Sequence, residues 1–205
     1  KWIHNPFSTK IINNKLYGRG SSDMKSGISS MILAFKAIYD YKINLKGDLI
    51  LILSAGESSS LIGAKQFIKS KKLKNMGAFL VSEPTSLKLI TAEKGALWLK
   101  VIFFGKSGHS SGGTKNYNNA IETAIKFIEQ FKKIKFNNYP HRILGNTTFS
   151  FNKIIGGAFV NITPDHCELD IDIRTLPNQK YKDIIKKIRK SIKLKNYEIK
   201  LIDFK

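Results

Sequence analysis

The sequence predicts an α/β protein made of two parts. In the first part, short continuous apolar runs alternate with segments of helical periodicity, which is typical of a three-layer α/β sheet. In the second part, the predicted elements follow the order β-α-β-β-α-β, the split βαβ arrangement of a ferredoxin-like α+β domain. The pattern changes near Glu93-Lys94-Gly95, so we predict one domain over residues 1–93 and another over residues 94–205.

The elements of the first part begin after a glycine-rich turn, GRGSSDMKSG at 18–27. The segment that follows, ISSMILAFKAIYDY, has apolar residues at helical spacing. Two apolar runs, DLILILS at 48–54 and AFLVS at 78–82, are predicted to be strands covered on both faces. Between these two runs, Ser58–Ser60 can cap a further helix.

The second part contains six predicted elements, and the strand CELDIDIR alternates apolar with polar residues, which predicts one buried face. The six are strand 97–105, helix 117–133, strand 147–155, strand 167–174, helix 180–193 and strand 197–204. Together they span about one hundred residues, a usual size for a single domain.

The composition excludes several classes of protein. The chain is 42% hydrophobic and 24% charged, which predicts a globular protein. No apolar run approaches the length of a membrane span, and the start of the chain lacks the pattern of a signal peptide. The single cysteine, Cys167, suits a reducing compartment. We therefore expect a cytoplasmic protein without a membrane partner, and we interpret the first residue, Lys1, as a sign of a fragment.

The net charge of +20 raises the question of a nucleic-acid partner. The lysines are spread along predicted helices and loops, together with abundant Ile and Asn, as an AT-rich coding sequence would produce. No basic cluster is interleaved with aromatic residues in the way that single-stranded nucleic-acid sites require. We therefore expect no nucleic-acid partner, and salt-sensitive binding to DNA would contradict this expectation.

Three acidic residues follow predicted strands or turns of the first part: Asp23, Glu57 and Glu83. Sites in α/β sheets gather outside the carboxyl ends of strands. Carboxylates brought together repel one another unless a cation offsets them, so the three predict a site for Zn²⁺ or a similar divalent ion. Each also has a structural alternative, as a helix N-cap, a residue that interacts with a helix dipole, or an exposed turn residue.

Three polar residues of the second part are further candidates. His109 lies in the loop GKSGHSSGG, where a histidine is usually only solvated. Arg174 ends an alternating strand, and it is either part of a surface ion pair or a bidentate ligand for a carboxylate. Asn161, in GGAFVNITPD, would ordinarily be a turn residue.

Several segments together resemble one known family. They are PFS…KLYGRGSSDMKSG, SAGESSSLIGA, SEPTSL, EKGALW, GKSGHSS, NAIE and GGAFVNITPDHCELDIDIRTLP. Their order and spacing are similar to those of the acetylornithine deacetylase / succinyl-diaminopimelate desuccinylase family, zinc-dependent relatives of aminoacylases and carboxypeptidases. The resemblance covers essentially the whole chain.

The resemblance implies a catalytic α/β domain, here present in part, that binds two Zn²⁺ ions, with Co²⁺ as the alternative ion. Asp23 matches the carboxylate that bridges the two metals, and it implies a cis peptide between Asp23 and Met24. Glu83 matches a terminal metal ligand. Glu57 matches the general base that activates water. The implied reaction hydrolyses the amide bond of an N-acyl amino acid, of the N-acetylornithine or N-succinyl-diaminopimelate type, in amino-acid biosynthesis.

The resemblance also implies that the ferredoxin-like domain is an inserted lid that forms a homodimer. His109 matches the lid histidine that reaches the neighbouring subunit's site and stabilises the oxyanion. Arg174 and Asn161 match lid residues that hold the carboxylate end of the substrate.

The chain departs from the family pattern in three places. By the resemblance, Ser58 stands where the family has a second acidic residue, a metal ligand, so we expect a weakened second metal site. If the alignment is shifted by one position, Glu57 is that ligand and the general base is missing. The family's His-x-Asp motif before Trp2 and its last histidine have no counterpart in these residues. We therefore expect the chain by itself to bind metal poorly and to lack activity. Two alternatives remain open: an inactive, truncated or degenerate homologue that retains the dimerisation domain, and a related metallo-aminopeptidase or carboxypeptidase.

Overall fold

A computed structural model describes residues 2–58, 61–70, 75–112 and 118–204. The chain divides into two compact units, a first unit of Lys1–Ile90 and a second unit of Thr91–Lys205. Both helices and strands are present, so the predicted α/β fold class is confirmed. Within the described part of the chain, no helix has the length and apolar character that a membrane crossing requires.

The first unit opens with a β-hairpin that the sequence patterns did not reveal. Strands β1 (Lys10–Ile12) and β2 (Lys15–Tyr17) pair in antiparallel fashion. The two residues between them, Asn13 and Asn14, both have positive φ, at 50° and 60°. A two-residue hairpin turn of type I′ requires positive φ at both central positions, and asparagine tolerates it better than most residues.

Two helices follow in the first unit, α1 (Ser26–Asp40) and α2 (Ile62–Lys69). Helix α1 agrees with the predicted periodicity. Helix α2 has Leu61 at its N-cap position and no capping side-chain hydrogen bond among the described residues. Of the predicted cap Ser58–Ser60, Ser58 is not the N-cap residue of this helix, and positions 59 and 60 lie outside the described residues.

The predicted strands 48–54 and 78–82 are wrong as strands. Neither segment belongs to a sheet formed by the residues that the structure describes, and their large apolar side chains are mostly exposed. A strand needs a neighbour that pairs with its backbone N–H and C=O groups. The apolar pattern thus indicates that these segments favour strand structure, but the described residues provide no strand that pairs with them.

The second unit has a four-stranded antiparallel sheet with two helices on one face. The strand order is β5-β7-β3-β8, so β5 and β8 form the two edges. The elements are β3 (Gly95–Phe104), α3 (Ala120–Phe131), β5 (Thr148–Gly156), β7 (His166–Thr175), α4 (Tyr181–Ser191) and β8 (Tyr197–Phe204). This is the predicted β-α-β-β-α-β order, with bounds that differ by a few residues; the predicted start of α3, residue 117, lies outside the described residues. A short pair, β4 (Gly108–His109) and β6 (Ile162–Thr163), is added beside this sheet.

The core of the second unit comes from the alternating faces of its two central strands. The inward residues of β3 and β7 are buried against the helices: Leu97, Leu99, Val101, Phe103, Cys167, Leu169, Ile171 and Ile173. Phe131 of α3 contacts Phe149 of β5, with ring centroids 4.9 Å apart in an edge-to-face arrangement. Burial of each large apolar side chain stabilises the fold by about 1.5–3 kcal/mol relative to exposure, so this cluster holds the unit together.

The first unit, by contrast, has no buried core within residues 2–58, 61–70 and 75–90. All buried apolar side chains that the structure describes lie between Ala96 and Ile199. Helices α1 and α2 contain no buried residue. Among the described residues, the buried apolar side chains that stabilise the fold therefore lie in the second unit.

Candidate functional site

Asp23 lies in a tight turn, Ser21–Lys25, directly before α1. The turn begins after Gly20, whose φ of 81° lies in the left-handed region that glycine adopts without a steric penalty. The main-chain N–H of Lys25 donates to the carbonyl oxygen of Gly20 at 2.9 Å. The peptide bond between Asp23 and Met24 is cis, which confirms the expectation from the family resemblance. The Asp23 side chain is exposed.

Glu83 follows a segment that contacts the start of α1. A Cβ atom at Gly27 would lie 2.2 Å from the carbonyl oxygen of Ser82, so only a glycine permits this approach of the two backbones. Because Gly27 lies four residues after Asp23 and Ser82 precedes Glu83, the two predicted metal ligands lie on segments in direct contact.

Glu57 lies in the turn that leads to α2. A Cβ at Gly63 would lie 2.6 Å from the carbonyl oxygen of Ala55, so the start of the helix packs closely on the chain just before this turn. The hydroxyl of Ser58 donates to Oε2 of Glu57 at 3.1 Å. Ser58 therefore contacts the carboxylate that was predicted to be the general base, a contact that sequence patterns did not predict.

The described residues do not complete a metal centre. Among them, no group of three or more His, Cys, Asp and Glu side chains is arranged so that it could hold a metal ion. A zinc site requires three or four protein ligands, so Asp23 and Glu83 would supply only part of one. The residues present do not by themselves fit the zinc pair that the resemblance implies.

His109 and Asn161 are brought together by the short pairing of β4 with β6. His109 is opposite Ile162 in the register. The main-chain N–H of Ser110 donates to the carbonyl oxygen of Asn161 at 3.0 Å, which extends the pairing by one bond. Both predicted site residues are exposed, and they lie at the same end of the second unit.

The His109 ring is held by a residue that sequence reasoning missed. The main-chain N–H of Ser111 donates to Nδ1 of His109 at 3.3 Å, and the Ser111 hydroxyl lies 2.7 Å from the same nitrogen. The adjacent serines in GHSS were the only signal in the sequence, and they do not indicate which hydroxyl contacts the ring.

A cleft of about 480 Å³ lies beside this pair of residues. Ser110, Asn119 and the loop that precedes Asn161 line it. Two apolar residues of that loop, Phe159 and Val160, are 70% and 102% exposed. Sequence reasoning passed over them because two apolar residues in a glycine-rich loop carry no periodicity.

Main-chain hydrogen bonds hold the walls of this cleft together. The N–H of Gly105, at the end of β3, donates to the carbonyl oxygen of Asp165 at 2.7 Å. The N–H of Ala120, the first residue of α3, donates to the carbonyl oxygen of Pro164 at 2.9 Å. The side chain of Asn119 caps α3 by accepting from the N–H of Ile121 at 2.9 Å. These bonds connect the end of β3, the start of α3 and the chain before β7.

Arg174 lies at the other end of the second unit. It is eight residues along β7 from His166, where the strand begins near the β4–β6 pair. At about 3.3 Å per residue, the two ends of the strand are about 26 Å apart. The structure therefore does not bring Arg174 to His109 and Asn161. Its Nη2 donates to Oδ2 of Asp172 at 2.9 Å, and the Asp172 side chain is largely buried.

A line of charged residues covers the sheet face that the helices leave open. Lys100 contacts Glu168, and its Nζ lies 3.8 Å from Oδ1 of Asp170. The hydrogen bond from Lys100, together with that from His166, holds the pKa of Glu168 below its ordinary value. The same bond to Glu168 raises the pKa of Lys100. On the opposite face, burial raises the pKa of the Cys167 thiol, which makes it a poor nucleophile.

The second unit identifies the family. The family model of the peptidase dimerisation domain, from the M20 peptidases, matches residues 91–200, which is more than half of the chain. The chain therefore belongs to the M20 peptidase dimerisation domain family.

Curated relatives agree with this family and confirm the resemblance drawn from the sequence. The acetylornithine deacetylase of Buchnera aphidicola subsp. Schizaphis graminum is 34% identical over 181 residues, which covers 86% of this chain and 46% of the relative. The acetylornithine deacetylase of Photorhabdus laumondii is 34% identical over 189 residues, covering 89% and 48%. A probable succinyl-diaminopimelate desuccinylase of Staphylococcus aureus is 28% identical over 201 residues, covering 86% and 49%. The chain spans about half the length of the curated relatives it matches.

Two solved structures of peptidases are similar in fold to this chain. A tripeptidase from Staphylococcus aureus superposes with a TM-score of 0.69 at 22% identity, covering 90% of this chain and 48% of the other. Aminopeptidase PepT from Bacillus cereus superposes with a TM-score of 0.65 at 21% identity, covering 88% and 48%. At this identity the likeness supports the fold alone.

Proposed function

We propose that the chain is part of a metal-dependent amidohydrolase that cleaves an N-acyl amino acid of the N-acetylornithine or N-succinyl-diaminopimelate type in amino-acid biosynthesis. The observation that carries this proposal is the similarity to acetylornithine deacetylases, which extends over 86–90% of the chain and so includes residues of both units. We further propose that the first unit is the catalytic part and the second unit the lid.

In the first unit, Glu57 is the proposed general base. Its carboxylate would accept a proton from the attacking water and later deliver it to the leaving amine. The Ser58 hydroxyl, 3.1 Å from Oε2, would help to orient that carboxylate. Asp23 and Glu83 are proposed as two ligands of a divalent cation, Zn²⁺ or Co²⁺, which requires further donors beyond those described. The contact of Gly27 with Ser82 supports their proximity.

In the second unit, the proposed substrate contacts fall into two groups. His109 and Asn161 share one end, where a ring N–H and a side-chain amide can donate to an oxyanion or a carboxylate. Arg174 lies at the other end, where its guanidinium can bind a carboxylate through two parallel hydrogen bonds. Its bond to Asp172 keeps the guanidinium at the end of β7.

The distance between the two groups supports a homodimer. The longer of the two proposed substrates, N-succinyl-diaminopimelate, is about as long as four extended residues, roughly 14 Å, whereas the ends of β7 are about 26 Å apart. One copy therefore cannot use both groups on the same substrate molecule. We propose that each substrate site of the dimer takes Arg174 from one copy of the lid and His109 and Asn161 from the other copy.

The β5 edge of the sheet is the proposed dimer contact. Helix α3 lies beside this edge, since Phe131 contacts Phe149 and Phe151 of β5. The exposed residues there include three isoleucines: Ile125, Ile154 and Ile155. Beside the β8 edge lies α4, where Tyr181 contacts Phe204. The exposed face of α4 and of the chain after it is rich in cations that would repel those of a second copy: Lys182, Lys186, Arg189, Lys190 and Lys193.

The direct test uses the complete gene product. The coding DNA on both sides of residues 1–205 is sequenced, and the protein of the whole open frame is purified and supplied with Zn²⁺ or Co²⁺. Three substrates are compared: N-acetyl-L-ornithine, N-succinyl-LL-diaminopimelate and a tripeptide. We expect release of a free amine from one of the acylated amino acids, with loss on chelation and in Glu57→Gln. Hydrolysis of the tripeptide alone, or no hydrolysis with either metal, would overturn the proposal.

A second candidate function is a non-catalytic dimerising protein. The observation that favours it is the burial of apolar side chains in the second unit and not in the described residues of the first. The same DNA sequence distinguishes the two candidates, since stop codons or frameshifts close to either end would indicate a decayed gene. In that case residues 91–205 should still unfold cooperatively and form a dimer, whereas an intact frame with hydrolysis excludes this candidate.

A further inference from the structure

Ser111 directs two polar groups at a single atom of His109. Its main-chain N–H donates to Nδ1 at 3.3 Å, and its hydroxyl oxygen lies 2.7 Å from the same nitrogen. Ser110, between the two residues, instead directs its main-chain N–H to the carbonyl oxygen of Asn161. Ser110 thus attaches the turn to the loop that lines the cleft, and Ser111 orients the His109 ring.

These contacts determine where the ring carries its proton. A main-chain N–H can only donate, so Nδ1 must be an acceptor and cannot carry a proton. The neutral imidazole then has its proton on Nε2. An imidazolium ring would carry a proton on both nitrogens and would lose the main-chain hydrogen bond.

The backbone under the ring is held independently of Ser111. His109 is opposite Ile162, and Gly108 is opposite Thr163, in the β4–β6 pair. The hydroxyl of Ser107 donates to the carbonyl oxygen of Thr163 at 3.2 Å. Replacement of the Ser111 side chain should therefore change the ring and leave the turn in place.

We propose that Ser111 is a positioning residue that holds the neutral His109 ring with its proton on Nε2. The ring then presents Nε2–H outward as a hydrogen-bond donor. The catalytic consequence rests on the proposed function: His109 would stabilise an oxyanion by donating a hydrogen bond, without transferring its proton. The tautomer itself is a property of this chain and needs no substrate.

The test is a long-range ¹H–¹⁵N correlation spectrum of the chain labelled with ¹⁵N-histidine, at about pH 8.5, where an ordinary histidine of pKa about 6.5 is neutral. The His109 signals are assigned by their loss in His109→Gln. We expect the Nε2–H pattern in the wild type. Ser111→Ala loses the hydroxyl that lies 2.7 Å from Nδ1 and keeps only one main-chain bond at 3.3 Å, so the His109 signals should shift part of the way toward the other tautomer. Ser111→Thr, which keeps the hydroxyl, should restore the wild-type signals.

Two controls make the result specific. Ser110→Ala removes the neighbouring hydroxyl and should leave the His109 signals unchanged. His141 provides an internal reference, because its Nδ1 accepts from the main-chain N–H groups of Ile143 and Leu144, both at 3.2 Å. Its signals should remain those of the Nε2–H tautomer in every variant. An Nδ1–H pattern in the wild type, or an equal shift in Ser110→Ala, would overturn the inference.

A kinetic measurement on the complete protein tests the catalytic consequence. Ser111→Ala should lower kcat about fivefold, the equivalent of one ordinary hydrogen bond, with KM nearly unchanged. Absence of any hydrolysis while the wild-type tautomer pattern is observed would overturn the proposed function and leave this inference standing. An unchanged kcat in Ser111→Ala, with the tautomer shifted, would overturn the catalytic consequence.

Discussion

The main-chain N–H of Ser110 donates to the carbonyl oxygen of Asn161 across 3.0 Å, although 51 positions of sequence separate the two residues. This bond continues the β4–β6 pair and places His109 next to the loop that carries Asn161. Arg174 remains at the opposite end of β7, whose span from His166 to Arg174 is about 26 Å at about 3.3 Å per residue. The candidate lid residues therefore form two separate groups.

Mixed dimers test this grouping. We expect that His109→Gln and Arg174→Ala, each inactive alone, recover about a quarter of the wild-type rate when their subunits are mixed in equal amounts. The physical reason is that half of the dimers are then mixed, and each mixed dimer has one site with both groups intact. The measurement is the hydrolysis rate after subunit exchange.

The matched control mixes His109→Gln with Asn161→Ala. Both residues belong to the same lid group, so every site in a mixed dimer carries one defect and no recovery is expected. Recovery in this control equal to that of the first mixture would contradict the grouping.

The proposed dimer edge is tested by placing a charge on it. Ile125 of α3 and Ile202 of β8 are both 50% exposed, but Ile125 lies near the β5 edge of the sheet and Ile202 lies on the opposite edge strand, β8. We expect Ile125→Lys to shift the protein from dimer to monomer, because a lysine buried in the interface loses its hydration. Ile202→Lys is the matched control and should leave the dimer intact. Sedimentation analysis measures both, and dissociation by Ile202→Lys alone would assign the contact to β8.

Gly105 tests the packing that supports the cleft. A Cβ at this position would lie 2.1 Å from the carbonyl oxygen of Asn118 and 2.7 Å from that of Pro164. We expect Gly105→Ala to lower the free energy of unfolding by about 1–3 kcal/mol, the usual cost of overpacking. Gly77→Ala is the control, since nothing lies within 4 Å of a Cβ there. Urea unfolding measures both, and equal midpoints for the two variants would contradict the close contact.

The charged face of the sheet predicts a weak dependence of stability on pH. The pKa of Glu168 is lowered from 4.5, chiefly by Lys100, so its contribution to stability is complete above pH 4.5 and is lost as pH falls through the lower folded pKa. The pKa of Lys100 is raised from 10.5, so its contribution is complete below pH 10.5 and is lost above it. About a third of each side chain is exposed, so solvent screening keeps the effect small.

The measurement compares unfolding midpoints of the wild type and Lys100→Met at about pH 7 and at about pH 3. We expect the variant to be less stable at the higher pH and the difference to shrink at the lower one. Lys200→Met, whose partner Glu198 is 3.6 Å away and half exposed, is the control and should show little difference at either pH. A constant difference for Lys100→Met would show that the lost packing of its stem, not its charge, matters.

Ser58 gives a prediction about metal content. In the complete protein, Ser58→Glu should raise the number of zinc ions per subunit and the rate of hydrolysis, because it places a carboxylate at the position where the family resemblance implies a metal ligand. Ser58→Gln is the control. A glutamine side chain has nearly the same shape as that of glutamate but no charge, so this variant should raise neither the zinc content nor the rate. Metal analysis of the purified protein measures the effect. A wild-type content of two zinc ions per subunit would show that Ser58 does not weaken the second site.

Much of the second unit could be predicted from the sequence because its signals are local. The alternation in CELDIDIR predicts one buried face, and Cys167, Leu169 and Ile171 are indeed buried. The runs 48–54 and 78–82 carried an equally clear apolar signal, yet neither forms a described strand. A strand depends on a neighbouring backbone as well as on its own side chains, and a local pattern cannot report whether that neighbour is present.

The sequence by itself determined the fold class, the order of elements in the second unit and the candidate site residues, because periodicity and motif spacing are properties of neighbouring positions. Only the tertiary structure decided which candidates lie together. Asn161 lies near His109, and not near Arg174, because β4 pairs with β6. Each of these strands has only two residues, which is too short to leave a pattern in the sequence. Ser111 rather than Ser110 reached the His109 ring, because the direction of a side chain in a turn depends on how the backbone is held by distant residues.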